Sequence, residues 1–227
     1  MRIIAGRFRG RPLVSFKADH IRPTTDRIKE SIFNKLQGEL EGARVLDLFS
    51  GTGNLSCESI SRGAAEVVAV ELHRKSIAII RQNLELLEIE NEVQVMEQDV
   101  LKFLRTYSGE PFGLIFADPP FTEKLADRVL EALSKSRVIG AQTLIVIESS
   151  SHELVRESYS GLSRQDERDY GDKRVSYWLS LAAPEPSADN QASADNQASA
   201  DNQASADSQA SADNQASADN QASGDQE

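Results

Sequence analysis

The residues best suited to chemistry in this sequence are Asp118-Pro119-Pro120-Phe121, directly after the apolar run Phe112–Ala117. Proline fixes φ and has no N–H group, so the chain must leave the predicted strand on a rigid path with unpaired carbonyls. Asp118 adds a carboxylate acceptor, and Phe121 adds a ring that can stack on a planar base. Two converging acceptors beside a stacking face suit an exocyclic NH2 group of a nucleobase. Taken alone, the tetrapeptide is equally consistent with a strand that simply ends there.

A second group of residues, earlier in the chain, has the pattern of a nucleoside site. The stretch Asp47-Leu-Phe-Ser-Gly51-Thr-Gly53 joins a predicted strand to a helix, and its glycines let the backbone turn tightly and approach a ligand. Glu71 lies twenty residues after Gly51, at the end of the next predicted strand, where an acid can accept hydrogen bonds from ribose hydroxyls. Asp99 follows the third strand and can accept a hydrogen bond from an adenine amine.

Two kinds of nucleotide cofactor compete for this loop. A dinucleotide site expects a third glycine three residues after Gly53, where this chain has Ser56. Asp47 is also a poor neighbour for a diphosphate, whereas it suits a ligand with a cationic amino-acid end. The loop therefore fits S-adenosylmethionine better than a nicotinamide dinucleotide.

These residues fall in a regular alternation of short apolar strands and amphipathic helices. After a helix from Thr24 or Thr25 to about Leu36, we predict strands over 45–49, 67–71, 93–96, 113–117, 143–148 and 175–181, and helices over 54–62, 75–87, 100–105 and 124–133. The alternation predicts an α/β fold, with a mostly parallel sheet between helices and an antiparallel last strand. Ligands bind such sheets outside the carboxyl ends of the strands. The acids named above all fall there, so we expect them to meet at one edge of the sheet.

The N-terminal residues are strongly basic. We predict a β-hairpin with strands over 2–5 and 13–16, and four of its arginines come before the first acid of the chain: Arg2, Arg7, Arg9 and Arg11. Such a cluster suits contact with RNA phosphates. A strand edge guarded by solvated charge is the alternative.

The C-terminal part of the chain differs sharply in composition. From Ser187 a six-residue unit, Ser-Ala-Asp-Asn-Gln-Ala, runs six times with one Asn-to-Ser change, and none of its positions can build a core. Nine of the 36 acids and none of the 25 bases lie in residues 184–227, so the rest of the chain has a net charge of only −2. We therefore predict an N-terminal hairpin-and-helix extension over 1–37, a catalytic domain over 38–183 and a disordered acidic tail over 184–227.

Several classes of protein are disfavoured by composition. Cys57 is the one cysteine and the three histidines are scattered, so we expect neither a disulfide framework nor a metal site. No stretch approaches the roughly 20 apolar residues of a membrane span, and no signal peptide is evident, which favours a cytoplasmic location.

Taken together, these motifs resemble those of a known family. The segments Asp47-Leu-Phe-Ser-Gly-Thr-Gly53, Val70-Glu71 and Asp118-Pro-Pro-Phe121 resemble class I methyltransferases that modify exocyclic amines. Further segments narrow the resemblance, over residues 1 to about 182, to the RsmD family of 16S ribosomal RNA guanine-N2 methyltransferases: Arg2-Ile-Ile-Ala-Gly6, Arg9-Gly-Arg11, Arg22-Pro-Thr-Thr-Asp-Arg27, Ser61-Arg-Gly-Ala64 and Tyr170-Gly171-Asp172.

The resemblance implies a Rossmann-like fold of seven strands with one reversed, S-adenosylmethionine as cofactor, and ribosomal RNA as partner in the small subunit or its assembly intermediate. It implies a monomer that needs no metal. It also implies that Asp118, Pro119, Pro120 and Phe121 hold the reacting base, and it favours RNA contact for the arginine hairpin.

Other functions remain open at this point. Relatives with the same tetrapeptide methylate adenine, so an N6-adenine or other exocyclic-amine methyltransferase on RNA or DNA is an alternative. A nicotinamide-dependent oxidoreductase would share the sheet, but its dinucleotide motif would have glycine where this chain has Ser56. A non-catalytic RNA-binding protein would keep the arginines but leave the acids at the strand ends unexplained.

Overall fold

The computed structural model describes residues 1–15 and 26–181, and within them one mixed sheet carries helices on both faces. The helices are α1 (Asp26–Lys35), α2 (Asn54–Ser61), α3 (Arg74–Leu87), α4 (Val100–Thr106) and α5 (Ala126–Leu133), with a 3-10 turn at Phe121–Glu123. The strands are β1 (Arg44–Leu48), β2 (Glu66–Glu71), β3 (Val93–Glu97), β4 (Phe112–Ala117), β5 (Ile139–Ser150), β6 (Ser158–Tyr159), β7 (Leu162–Tyr170) and β8 (Lys173–Ser180).

The strand order is β3-β2-β1-β4-β5-β8-β7-β6. The first five of these strands are parallel, whereas β8 is antiparallel to β5, as predicted. Because β3 connects to β4 across the sheet, the order reverses between β1 and β4. This reversal is a topological switch point, where parallel α/β sheets bind ligands.

Two apolar layers hold the helices on the sheet. On one face, residues of α1, α2 and α3 pack against β1, β2 and β4, around Phe33, Ile80 and Phe116. On the other, α4 and α5 cover the alternate residues of the same strands, around Phe103 and Leu130. The apolar residues whose spacing predicted these helices and strands are therefore the residues that are buried between them.

The strand count differs from the seven expected, because the described part of the sheet has eight. The additional strand is the two-residue β6. Most residues of β7 are exposed or half-buried, and its sequence Leu-Ser-Arg-Gln-Asp-Glu-Arg-Asp-Tyr lacks the apolar alternation that marks a strand. The strand β7 is therefore stabilised by its pairing with β8, and not by an apolar face that packs on the core.

The predicted N-terminal hairpin is present only as a turn with one isolated antiparallel bridge, between Arg2 and Pro12. Its backbone bonds include Ile3 N–H to the Arg11 carbonyl, at 3.0 Å. The predicted cap at Thr24 or Thr25, the end of the second hairpin strand and the tail lie outside the described residues.

A buried charge network fastens the N-terminal segment to the domain. The carboxylate of Glu58, in α2, accepts hydrogen bonds from the backbone N–H groups of Ile4 and Ala5, at 2.8 and 3.1 Å. It also pairs with Lys29 at 3.1 Å and Arg62 at 2.8 Å, and the Lys29 and Glu58 side chains are fully buried. Desolvation lowers the pKa of Lys29, although the Glu58 charge opposes that shift.

Candidate active site

The carboxyl ends of the parallel strands form one rim, and the loops after β1 and β4 flank its switch point. The backbone N–H of Asp118 donates to the Leu48 carbonyl at 3.4 Å, which joins the ends of these two strands. The Gln98 N–H donates to the Glu71 carbonyl at 3.1 Å, which joins the ends of β2 and β3. The predicted convergence of Asp47, Glu71, Asp99 and Asp118 on one edge is thus found in the fold.

Asp47 is buried beneath the loop after β1. Its Oδ2 accepts hydrogen bonds from the Ser56 N–H at 3.1 Å and the Ser56 hydroxyl at 2.5 Å. Burial raises the pKa of Asp47 to about 7, with a smaller push from the Glu71 charge, against the two Ser56 hydrogen bonds. Ser56 is at the position where a dinucleotide site has glycine, and here it donates two hydrogen bonds that fix the Asp47 carboxyl group.

Glu71 organises the loops on both sides of it. Its Oε2 accepts the Gly51 N–H and its Oε1 accepts those of Leu72 and His73, each at 2.8 Å. The residue is only 6% exposed. Three backbone donors fix the carboxylate in one orientation, next to the glycine loop where ribose hydroxyls were expected.

The glycine loop has a backbone that other residues adopt with difficulty. Gly51 and Gly53 have φ of 56° and 75°, and a Cβ on Gly53 would lie 3.3 Å from Ile80 Cγ2. Phe49 also has a positive φ, 61°, which is rare for a non-glycine residue and concentrates at functional sites. The loop is thus held tightly between the end of β1 and α3.

Asp99 also has a local role. It is the N-cap of α4, where its Oδ1 accepts the Lys102 N–H at 2.8 Å. The cap satisfies one of the free donors of the helix start. The exposed carboxylate remains on the rim beside β2 and β3.

The ledge Asp118–Phe121 leaves β4 as the sequence predicted. Pro119 is buried and Pro120 is exposed, and the 3-10 turn that follows is closed by the Glu123 N–H donating to the Pro120 carbonyl at 3.1 Å. Among the backbone N–H groups of the residues that the structure describes, none donates to the Pro119 carbonyl. Phe121 is half-buried, so part of its ring faces solvent.

Three residues of this rim were not predicted from the sequence. Leu72, adjacent to Glu71, is 55% exposed, which places an apolar surface beside the acid. Glu148 and Lys173 form a buried ion pair next to the ledge. Glu148 ends the predicted fifth strand, so the rule that identified the other acids also applies to it.

The two ends of the arginine hairpin differ in their distance from this rim. Its first residues lie beside the glycine loop, where the Thr52 hydroxyl donates to Met1 Sδ at 3.6 Å. There Lys29 Nζ donates to the Arg2 carbonyl at 2.6 Å and to Asn54 Oδ1 at 2.8 Å.

The turn that carries Arg7 lies away from the rim. The Arg7 N–H donates to the carbonyl of Ser61, the last residue of α2, at 2.8 Å, and its guanidinium pairs with Glu92, just before β3. Both contacts are at the amino ends of the strands. They are separated from the rim by the length of α2, which is about 12 Å for its eight residues. Arg2 pairs with Asp26, whereas Arg9 and Arg11 are exposed and have no side-chain partner in the described ranges.

The described residues hold no group of three or more His, Cys, Asp or Glu side chains suited to a metal ion. None of the helices they form is long and apolar enough to cross a membrane.

Comparisons with known proteins agree with this geometry. The family model described as Conserved hypothetical protein 95 matches residues 1–179. Ribosomal RNA small subunit methyltransferase D of Haemophilus influenzae is 36% identical over 151 residues, covering 66% of this chain and 78% of the relative. The Escherichia coli protein of the same name is 35% identical over 149 residues, covering 66% and 74%. A solved candidate methyltransferase of Escherichia coli, yhhF, aligns with a TM-score of 0.71 at 29% identity, covering 80% of this chain and 98% of that structure.

Proposed function

The chain belongs to the RsmD family, and on that premise we propose that it methylates the exocyclic N2 amine of a guanine in small-subunit ribosomal RNA. The relatives named above support the coarser statement that it is a ribosomal RNA methyltransferase using S-adenosylmethionine. The observation that carries the finer proposal is the switch point, where a nucleoside-type loop and a rigid ledge of acceptors meet on adjacent strands.

The residues present fit S-adenosylmethionine. Glu71 offers a fixed carboxylate for ribose hydroxyls, and the exposed Leu72 offers an apolar surface for a purine ring. Gly51 and Gly53 leave two positions of the loop without a side chain, and Asp47 supplies negative charge below it for a cationic amino-acid end. Asp99, at the end of the next strand, would accept from the adenine amine. When bound, this cofactor would supply a methyl group on a sulfonium sulfur, and the good leaving group is the neutral thioether that remains once the methyl group has been transferred.

The ledge would hold the amine that receives the methyl group. A guanine N2 lone pair is delocalised into the ring, so the amine is a weak nucleophile. Hydrogen bonds from its two N–H groups to the Asp118 carboxylate and the Pro119 carbonyl would favour a pyramidal nitrogen and stabilise its developing positive charge. Pro120 keeps the ledge rigid, and Phe121 would stack on a base that is single-stranded or flipped out of a helix.

Arg2, Arg7, Arg9 and Arg11 would contact phosphates away from the target base. Arg2 lies near the glycine loop and Arg7 lies near the amino ends of the strands, which suits an RNA segment that extends along the N-terminal segment from the rim. Such contacts position RNA but do not read sequence. The domain limits at 37/38 and 183/184, a monomeric state and a cytoplasmic location belong to the same proposal.

The test is transfer of labelled methyl from S-adenosylmethionine to small ribosomal subunits from a strain lacking this protein. Digestion and mass spectrometry of the product nucleosides should give N2-methylguanosine. N6-methyladenosine would support the adenine alternative, and no incorporation into RNA would contradict both.

A further inference from the structure

A buried ion pair lies immediately behind the ledge. Lys173 Nζ lies 2.6 Å from Glu148 Oε2, and the two side chains are 8% and 2% exposed. Ala117 pairs with Ile147 in the β4–β5 register, so one residue further along Glu148 is beside Asp118. Phe116 and Val146 pack on the same face of the sheet, and strand alternation puts Asp118 and Glu148 on that face as well.

The same lysine also contacts the predicted stacking ring. Lys173 Nζ lies 4.6 Å from the centroid of Phe121. A cation over an aromatic ring is attracted by the ring quadrupole, and the attraction is strongest where water is excluded. Phe121 begins a 3-10 turn of three residues that ends before Lys124, whose φ is 48°. So short a turn constrains the ring weakly, and the cation contact supplies a constraint.

Holding β5 and β8 together does not require this charge. The two strands already pair at seven register positions, Leu144 to Ser150. Burying two charges is expensive, and an apolar pair of similar volume often serves a purely structural role equally well. Glu148 follows the register next to Asp118 and Lys173 lies over the Phe121 ring, so the pair is adjacent to the two ends of the ledge.

We propose that Lys173 is a positioning residue that fixes the Phe121 ring so that it can stack on the target base, and that Glu148 holds Lys173 in place. This inference rests on the proposed function only in requiring that Phe121 stacks on a base. Stacking accepts any base, so the inference does not depend on which exocyclic amine is methylated.

A double-mutant cycle between Lys173 and Phe121 tests the inference. The variants are Lys173→Met, Phe121→Ala and their combination, each assayed for methyl transfer to small subunits from the deletion strain. In the parent background, Lys173→Met should raise the KM for RNA about tenfold, with a smaller change in kcat. With Phe121 already Ala, the same substitution should have almost no effect, because the ring it positions is gone.

Three further variants serve as controls for the double-mutant cycle. Lys173→Arg keeps a cation over the ring and should retain most of the parent KM. Lys135→Met removes an exposed ion-paired lysine in the turn after α5 and should change nothing. If Lys173→Met fails to fold with an unpaired Glu148, the neutral double variant Glu148→Gln with Lys173→Met replaces it in the cycle.

If Lys173→Met lowers kcat/KM equally in the parent and in the Phe121→Ala background, the inference is overturned. The Lys173–Glu148 ion pair would then have only a structural role. A product other than N2-methylguanosine would instead overturn the proposed function, and the cycle would still report on the pair.

Discussion

Asp47 is the residue whose ionisation should govern cofactor binding near neutral pH. A group whose folded-state pKa is raised to about 7 is largely protonated at pH 6 and largely ionised at pH 8. If a cationic ligand end requires the ionised form, binding is coupled to loss of that proton. The same shift means that the contribution of Asp47 to folding stability falls as pH rises from about 4 through 7.

We therefore predict that affinity for S-adenosylhomocysteine, the demethylated cofactor, is about tenfold lower at pH 6 than at pH 8. Isothermal titration calorimetry across that range measures it. Asp47→Asn should bind more weakly and lose this dependence on pH. An affinity independent of pH in the parent protein would show that the Asp47 charge does not act on the ligand.

At the scale of elements, the buried network around Glu58 joins α1, α2 and the N-terminal segment. Glu58→Gln leaves the buried Lys29 without its counter-charge, so we expect a loss of about 3–5 kcal/mol in the free energy of unfolding. Urea denaturation measures the loss. Glu66→Gln is the matched control, since Glu66 pairs with Arg44 on the surface and should cost less than about 1 kcal/mol. Equal losses in the two variants would refute the anchoring role.

The basic hairpin is a separate element with its own test. Replacing Arg7, Arg9 and Arg11 with Ala should raise the KM for RNA and leave cofactor affinity unchanged. The slope of log affinity against log salt should fall by roughly 0.7–0.9 for each phosphate that the variant no longer neutralises. Arg7→Ala alone should have the smaller effect, because Glu92 already holds that guanidinium. If the triple variant keeps the salt slope of the parent protein, the arginines do not contact RNA phosphates and only protect an exposed strand edge from pairing with other chains.

The elements of the domain could largely be predicted from the sequence. Residues such as Ile80, Leu84 and Leu87 follow a helical period, and β2 and β4 are nearly continuous apolar runs, so the local pattern predicts their burial. β7 could not be predicted because its residues acquire a strand conformation from pairing with β8. The Lys29–Glu58 network could not be predicted either, since an isolated lysine in a helix pattern reads as a surface residue.

The candidate site followed from a topological rule more than from local pattern. Acids at strand ends meet because parallel strands share one edge, which predicted that Asp47, Glu71 and Asp118 lie on one rim of the sheet. The cap made by Asp99 is local, because an Asp just before a predicted helix is itself a capping signal. The distance of Arg7 from the rim, by contrast, depends on contacts between segments. Those contacts are set by the packing of the whole domain and leave no signal in short motifs.

At the scale of the whole molecule, charge is divided unequally along the chain. Residues 184–227 hold nine acids and no base, so their removal changes the net charge from −11 to −2. We predict that a chain ending at residue 183 has the same melting temperature and the same kcat as the full chain, because alanine is the one apolar residue of the repeat and is too small to build a core. Scanning calorimetry and the methyl-transfer assay check this. A cooperative loss of stability would show that the tail docks on the domain.

The most direct test of the central claim is a nucleoside map of ribosomal RNA from cells that lack this protein, complemented either by the parent gene or by Asp118→Ala. The purified variant should keep cofactor affinity within a few-fold, while its kcat falls about a hundredfold or more, because Asp118 acts on the reacting amine. We expect one N2-methylguanosine of the small subunit to disappear in the deletion strain, to return with the parent gene and to stay absent with Asp118→Ala. An unchanged map, or full restoration by Asp118→Ala, would contradict the assignment of the ledge.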